Sequence, residues 1–133
     1  MAYRKMLKSK IHRATITEAD LDYEGSITIS PELLKAANIL PYEAVNVWNV
    51  TAGTRFETYA IMGTPGSTDI CVNGAAAHLV TPGDLIIIAT FSQVLEKDCA
   101  HVEPTVVFVD QFNRIKEIRP ERIGIKHDEL VEA

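Results

Sequence analysis

Residues 85–91 read LIIIATF and begin with the longest apolar run of the chain, residues 85–89. The turn-forming residues Pro82-Gly83-Asp84 precede them, so a strand can begin at Leu85. A strand whose successive side chains are nearly all apolar has no polar face for water, and such strands are buried on both faces. We therefore predict that residues 85–91 form the central strand of the hydrophobic core.

Segments on either side of this strand alternate apolar and polar residues with the period of a β-strand. Residues 44–50 (AVNVWNV) and 54–62 (TRFETYAIM) flank the turn Thr51-Ala52-Gly53 and predict a hairpin. One short helix is predicted after Ser30, which can cap it, with Pro31 in its first turn. About seven short strands with one or two short helices are typical of a mainly β fold, a small β-barrel. The other predicted strands are residues 6–17, 26–29, 69–72 and 104–110.

Length, composition and charge limit the functions that the chain can have. Its 133 residues, 47% of them hydrophobic, suffice for one domain, predicted over residues 1–119 and followed by a charged tail over 120–133. The net charge of −5 argues against nucleic-acid binding. The longest apolar run is far too short to span a bilayer, and the basic start lacks the apolar segment of a signal peptide. We therefore expect a cytoplasmic protein that binds neither nucleic acid nor membrane.

The chain lacks the usual motifs of metal, phosphate and serine-hydrolase sites. A Ser-His-Asp triad has the residue types that it needs, but so does almost any domain of this length. We therefore predict no metal site and do not favour a hydrolase. Histidines and cysteines are scattered without metal-ligand spacing, at His12, His78, His101, His127, Cys71 and Cys99.

The segment Tyr23-Glu24-Gly25-Ser26 lies between two strand-like segments and allows two interpretations. The simpler one is a hairpin turn in which Gly25 supplies a positive φ and Ser26 a local hydrogen bond. The chemical one is self-cleavage, in which the serine hydroxyl attacks the Gly25 carbonyl in a strained turn, and the missing Cβ leaves the approach open. The resulting ester can eliminate to dehydroalanine, which hydrolyses to a pyruvoyl group. Such a ketone is an electron sink that needs no bound cofactor.

Two further segments carry polar groups that suit an active site. Strand periodicity places Arg55, Glu57 and Tyr59 on one face, where the arginine could hold a carboxylate and the tyrosine could donate a proton. The alternative is a solvated Arg55–Glu57 pair with Tyr59 packed at the rim. The turn Asn73-Gly74-Ala75-Ala76-Ala77 exposes backbone N–H groups that could bind an anion, or it is a plain turn of small residues.

Three more side chains have two readings each. Trp48 is more often a core anchor than a site residue. Lys10 and His12 share one face of the first predicted strand, which is either a solvated edge or a cationic wall.

Taken in order, these motifs resemble the pyruvoyl-dependent aspartate 1-decarboxylase family over roughly residues 6–118. The N-terminal five residues and the tail after Arg119 carry no part of the resemblance. The matching segments are residues 10–13 (KIHR), 23–26 (YEGS), 48–51 (WNVT), 55–60 (RFETYA) and 73–78 (NGAAAH).

The resemblance implies a double-psi β-barrel that assembles as a homotetramer with active sites between neighbouring subunits. It also implies cleavage between Gly25 and Ser26, with a covalently bound pyruvoyl group derived from Ser26. In the family this group forms a Schiff base with L-aspartate and promotes decarboxylation to β-alanine and CO2 for pantothenate synthesis. A pyridoxal enzyme needs a much longer chain, so pyridoxal phosphate is not expected, and the scattered histidines and cysteines give no reason to expect a metal.

The resemblance also assigns roles to the matched residues. Tyr59 is the expected proton donor to the decarboxylated carbon. Thr58 is expected to polarise the Gly25 carbonyl during cleavage and to lie beside the substrate. The remaining positions bind substrate (Lys10, Arg55 and the backbone of Gly74, Ala75 and Ala76), position the processing turn (Asn73) or lie near the site (His12, Trp48, Tyr23 and Glu24).

Two alternatives to the decarboxylase are considered. A non-catalytic β-barrel binding module would have no use for Arg55 and Tyr59 facing a glycine-serine turn, and its basic surface does not fit a net charge of −5. An unprocessed zymogen paralogue would be expected to lack a matched catalytic residue, and none is missing. The sequence leaves open whether cleavage needs a maturation factor.

Overall fold

A computed structural model describes residues 1–121, in which nine strands form one mixed sheet. In chain order the strands are β1 (Tyr3–Thr15), β2 (Glu18–Asp20), β3 (Ser26–Ile29), β4 (Ala44–Asn49), β5 (Arg55–Met62), β6 (Cys71–Asn73), β7 (Leu85–Leu95), β8 (Thr105–Val109) and β9 (Ile115–Pro120). Their order across the sheet is β2-β6-β3-β5-β4-β7-β1-β8-β9. The mainly β fold predicted from the sequence is confirmed, whereas the double-psi crossing and the domain limits 1–119 stay predictions.

Strand β7 lies between β4 and the long β1 and pairs antiparallel with both. Ile86 and Ile88 are fully buried, while Leu85 and Ile87 on the other face are half-buried. The predicted central position of this strand is therefore confirmed, although only one of its faces is completely covered. The covered face packs into a core of aliphatic side chains that includes Ile11, Ile27, Val45, Val47 and Val107.

The helices are short, as the sequence predicts. Helix α1 spans Pro31–Ala36, and its cap is Ser30, whose Oγ accepts a hydrogen bond from the Leu33 N–H at 3.3 Å. Two 3-10 helices span Gly74–Leu79 and Glu96–His101. None of the helices within residues 1–121 combines the length and apolar character that crossing a membrane requires.

Strands β2 and β9 were not predicted. Most of β9 is exposed, and its sequence IKEIRP lacks strand periodicity, so only its antiparallel pairing with β8 makes it a strand. The backbone N–H of Glu121 then donates to the carbonyl oxygen of Pro104 at 3.1 Å. Pro120, the first residue of the predicted 120–133 tail, is the last residue of β9. Residues 122–133 lie outside the described part of the chain.

Candidate active site

The candidate site is built around Ser26, the first residue of β3. Its side chain is buried, with 1% of the residue exposed. The Ser26 Oγ accepts a hydrogen bond from Asn73 Nδ2 at 2.9 Å and lies 3.5 Å from the carbonyl oxygen of Glu24. The bond to Asn73 follows from the sheet, because Ser26 and Asn73 are antiparallel partners in β3 and β6. Burial and this hydrogen bond hold the hydroxyl beside the peptide that precedes it.

The turn before Ser26 is packed against Gly74. A Cβ added to Gly74 would lie 2.7 Å from Gly25 Cα, 2.8 Å from Gly25 N and 3.1 Å from the Tyr23 carbonyl oxygen. Gly74 has a φ of +72°, whereas Gly25 is not among the residues with positive φ. The positive φ that the hairpin interpretation assigns to Gly25 is therefore wrong, because the left-handed residue belongs to the facing turn. The local hydrogen bond that it assigns to Ser26 is present, to the Glu24 carbonyl oxygen at 3.5 Å. Two backbones meet here at a distance that only glycine at position 74 permits.

Strand β5 brings Thr58 and Tyr59 to the same place. Strands β3 and β5 are parallel, with Ile27 opposite Ala60. Continuing this register by one and two residues sets Ser26 beside Tyr59 and Gly25 beside Thr58. Residues opposite each other on neighbouring strands point to the same face of a sheet, so this register would put Ser26 and Tyr59 on one face. The structure thus pairs Ser26 with Asn73 at the start of β3, and the extended register would add Tyr59 on the same face.

Tyr59 itself is half-buried and has an aromatic neighbour. Its ring centroid lies 6.4 Å from that of Tyr42, which is largely exposed. Tyr42 has a φ of +71°, and its N–H donates to the Ala60 carbonyl oxygen at 2.7 Å. The segment before β4 is therefore held against the middle of β5, and Tyr42 was not identified from the sequence.

The predicted anion-binding turn is the 3-10 helix Gly74–Leu79. Its first N–H groups have no acceptor within the helix. Ala75 is exposed and Ala76 half-buried, whereas Gly74 is buried against the Gly25 turn. The backbone of these three residues therefore begins at the candidate site and continues to the surface.

Arg55 is the first residue of β5 and is exposed. Its guanidinium stacks on the Trp48 ring, 5.1 Å from the centroid, and Trp48 is its cross-strand partner in β4. In residues 1–121 Arg55 and Glu57 do not form an ion pair, so the alternative of a solvated Arg55–Glu57 pair is wrong. Arg55 and Tyr59 are four positions apart, roughly 13 Å along a strand.

Lys10 and His12 form a separate cluster on β1, which three strands separate from β3. Lys10 makes an ion pair with Glu121, and His12 packs edge-on against Phe108 at 5.3 Å between ring centroids. The Arg119 guanidinium stacks on the same Phe108 ring, 4.2 Å from its centroid. Burial, and then the positive charge of Lys10, lowers the pKa of His12. This cluster lines a cavity of about 190 Å³.

Cys71 also contacts the candidate site, although the sequence analysis names it only as one of the scattered cysteines. The Cys71 Sγ donates a hydrogen bond to Asn73 Oδ1 at 3.0 Å. The available signal was its spacing, since residues two apart on a strand share a face. Among residues 1–121, His, Cys, Asp and Glu side chains form no group of three or more that could hold a metal ion.

The chain is similar to known proteins over almost its whole length. The profile of the family described as aspartate decarboxylase matches residues 2–116. An aspartate 1-decarboxylase of Legionella pneumophila (strain Lens) is 87% identical over 127 residues, which are 96% of each chain. Enzymes of the same name from Myxococcus xanthus and Rhodopirellula baltica are 62% and 58% identical, over 84% and 92% of this chain and 86% and 78% of their own. The chain belongs to the aspartate decarboxylase family.

Proposed function

We propose that this protein decarboxylates L-aspartate to β-alanine and CO2 for pantothenate synthesis, using a pyruvoyl group made from its own Ser26. Family membership over almost the whole chain is the observation that carries this proposal. The burial of Ser26 and the close contact between Gly25 and Gly74 support the self-processing part.

Self-processing begins when Ser26 Oγ attacks the carbonyl carbon of Gly25. The Gly25–Ser26 C–N bond breaks, the serine amine takes up a proton, and an ester joins the two residues. Loss of the Ser26 Cα proton then expels the Gly25 carboxylate and leaves dehydroalanine. Addition of water and loss of ammonia give a pyruvoyl group at the start of chain 26–133, and chain 1–25 is released as the smaller product.

Neighbouring residues suit this reaction. Gly74 fixes the position of the Gly25 peptide, because the two backbones are in contact. Asn73 holds the attacking oxygen through its Nδ2. Continuing the β3–β5 register by two residues would bring Thr58 beside Gly25, where its hydroxyl would donate to the carbonyl oxygen as negative charge develops there.

The residues around Ser26 also suit the pyruvoyl product. Its oxygen atoms only accept hydrogen bonds, and Asn73 Nδ2 is a donor beside residue 26. When present, the group supplies an electron sink for the carbanion that decarboxylation leaves. It is made from the chain, so the proposal requires neither pyridoxal phosphate nor a metal.

Three parts of the chain are proposed to handle the substrate. Arg55 holds a carboxylate of aspartate through its guanidinium, with Lys10 in support. The N–H groups of Gly74, Ala75 and Ala76 complete the binding site. Tyr59 donates the proton to the carbon that has lost CO2, because its phenol shares a face with residue 26.

A homotetramer with active sites between subunits explains why one chain separates these groups. Three strands separate β1, which carries Lys10 and His12, from β3, and Arg55 is the first residue of β5, four positions before Tyr59. Trp48 and His12 then border the site, each from the side of its own cluster. We place the enzyme in the cytoplasm, and a maturation factor that speeds cleavage remains part of the proposal.

Replacing Gly74 tests whether the contact with Gly25 is required. In Gly74→Ala the new Cβ would displace the Gly25 peptide, and we expect self-cleavage to slow by roughly 100-fold. The matched control is Gly53→Ala, with a similar φ of +78° but nothing within 4 Å of the added Cβ. Both variants should lose about 1–2 kcal/mol of stability from the left-handed alanine, and Gly74→Ala should lose more because its Cβ meets the Gly25 backbone. Equal cleavage rates in the two variants, measured by gel electrophoresis of purified protein, would contradict the proposal.

A further inference from the structure

We propose that Cys71 is a positioning residue for the self-cleavage at Ser26. It acts by fixing the orientation of the Asn73 side-chain amide. The inference rests on the proposed function and adds to it a residue that the resemblance does not assign. Its starting point is a chain of side-chain hydrogen bonds that begins at the thiol and ends at the attacking oxygen.

The chain of contacts lies on one face of the β3–β6 ladder. Cys71 Sγ donates to Asn73 Oδ1 at 3.0 Å. The same amide donates from Nδ2 to Ser26 Oγ at 2.9 Å and to Thr28 Oγ1 at 3.2 Å. The four residues are cross-strand partners, Ser26 with Asn73 and Thr28 with Cys71. All three polar groups that touch the Asn73 amide therefore come from two short strands.

The thiol decides between the two orientations of the Asn73 amide. The two hydroxyl groups can each donate or accept, so Ser26 and Thr28 are compatible with either orientation. The thiol is different, because its proton can be donated to Oδ1 whereas its sulfur is a poor acceptor for the NH2 group. With Oδ1 bound by Cys71, Nδ2 must face Ser26 and Thr28.

The orientation matters for the nucleophile. When Nδ2 donates to Ser26 Oγ, the oxygen is anchored as an acceptor, and its proton is free to point toward the Glu24 carbonyl oxygen at 3.5 Å. In the reversed orientation Oδ1 would take the serine proton, and the donor that anchors the oxygen would be lost. Cys71 thus keeps the oxygen in one place relative to the Gly25 carbonyl.

The thiol stays protonated, as this role requires. Burial raises the pKa of Cys71, and the negative charges of Glu18, Asp20 and Asp69 raise it further. All three carboxylates line the same open cavity as Cys71. At neutral pH the group is a thiol, so the proton needed for the bond to Asn73 is present.

Two pairs of variants isolate the donated proton from the size of the side chain. Cys71→Ser and Cys71→Ala are both smaller than cysteine and differ in a hydroxyl donor. Cys71→Thr and Cys71→Val have nearly equal volume, suit a strand and differ in the same way. Each variant is purified as the full chain, and the appearance of chains 1–25 and 26–133 is followed over time by mass spectrometry, with the melting temperature measured on the same samples.

We expect Cys71→Ser and Cys71→Thr to cleave within about twofold of the unsubstituted chain, because a hydroxyl at position 71 still donates to Oδ1. Although a hydroxyl also permits the reversed amide, it leaves the productive orientation occupied about half of the time. Cys71→Ala and Cys71→Val should be about fivefold slower than their hydroxyl partners, the effect of losing one hydrogen bond. Melting temperatures should not follow this order, which separates positioning from a general loss of structure. If one pair fails to fold, the other pair carries the same comparison.

Two results would overturn the inference. Equal cleavage rates within each pair, while the unsubstituted chain cleaves, would reject Cys71 and leave the proposed function standing. An unsubstituted chain that stays intact even with lysate of its source cell would reject both the inference and the proposed function.

Discussion

The Ser26→Ala variant is expected to remain one uncleaved chain of 14.7 kDa and to form no β-alanine from aspartate. The substitution removes the only atom that can attack the Gly25 carbonyl in this scheme, so both the cleavage and the group made by it are lost. The fold should survive, because alanine fits a position that is buried and small. Electrophoresis and an assay for β-alanine measure the two losses on the same preparation.

Ser9→Ala is the matched control for this variant. Ser9 is as buried as Ser26, at 1% exposure, and its Oγ is hydrogen-bonded to Thr90 Oγ1 at 2.6 Å. Both substitutions delete one buried hydrogen bond and should cost about 1 kcal/mol of stability. Ser9→Ala should nevertheless cleave and turn over aspartate. Release of β-alanine by Ser26→Ala, or cleavage lost equally in both variants, would contradict the assignment of Ser26.

The Tyr59→Phe variant is expected to cleave itself but to decarboxylate aspartate about 100- to 10,000-fold more slowly. This is the usual range for removing a general acid. Phenylalanine keeps the ring and its packing against Tyr42, so the loss is confined to the phenolic proton. The initial rate of CO2 release at saturating aspartate, normalised to the amount of chain 26–133, measures the effect on kcat.

The control for Tyr59 is its aromatic neighbour. Tyr42→Phe removes the same atom from a ring 6.4 Å away that is largely exposed, and it should leave kcat within about twofold of the unsubstituted enzyme. A Tyr59→Phe enzyme with full kcat would exclude this residue as the proton donor. A large loss in Tyr42→Phe with none in Tyr59→Phe would move that role to Tyr42.

The central part of the fold was predictable because its signals are local. The apolar run 85–89 gives a buried strand, and Ser30 followed by Pro31 gives the start of a helix. Strand β9 was not predictable, since its charged and exposed residues form a strand only by pairing with β8. Sequence periodicity reports which side chains become buried, and β9 buries almost none.

The candidate site was predictable in its residue types but not in its geometry. The sequence singled out the turn at Gly25 and the turn at Gly74, yet it placed the positive φ in the wrong one. Contact between the two turns depends on pairing of β3 with β6, which joins residues 47 positions apart. The proposed role of Cys71 depends on the same pairing, because its local signal, the two-residue spacing from Asn73, does not show that Asn73 meets Ser26.

The central claim is tested most directly by the intact mass of the purified, denatured protein. The account predicts two chains, corresponding to residues 1–25 and 26–133. The larger should be lighter by one ammonia than a chain that begins with serine, because the pyruvoyl group has replaced the serine amine and hydroxyl. A single unbroken chain of 14.7 kDa, unchanged after prolonged warming and after addition of lysate from the source cell, would contradict the account.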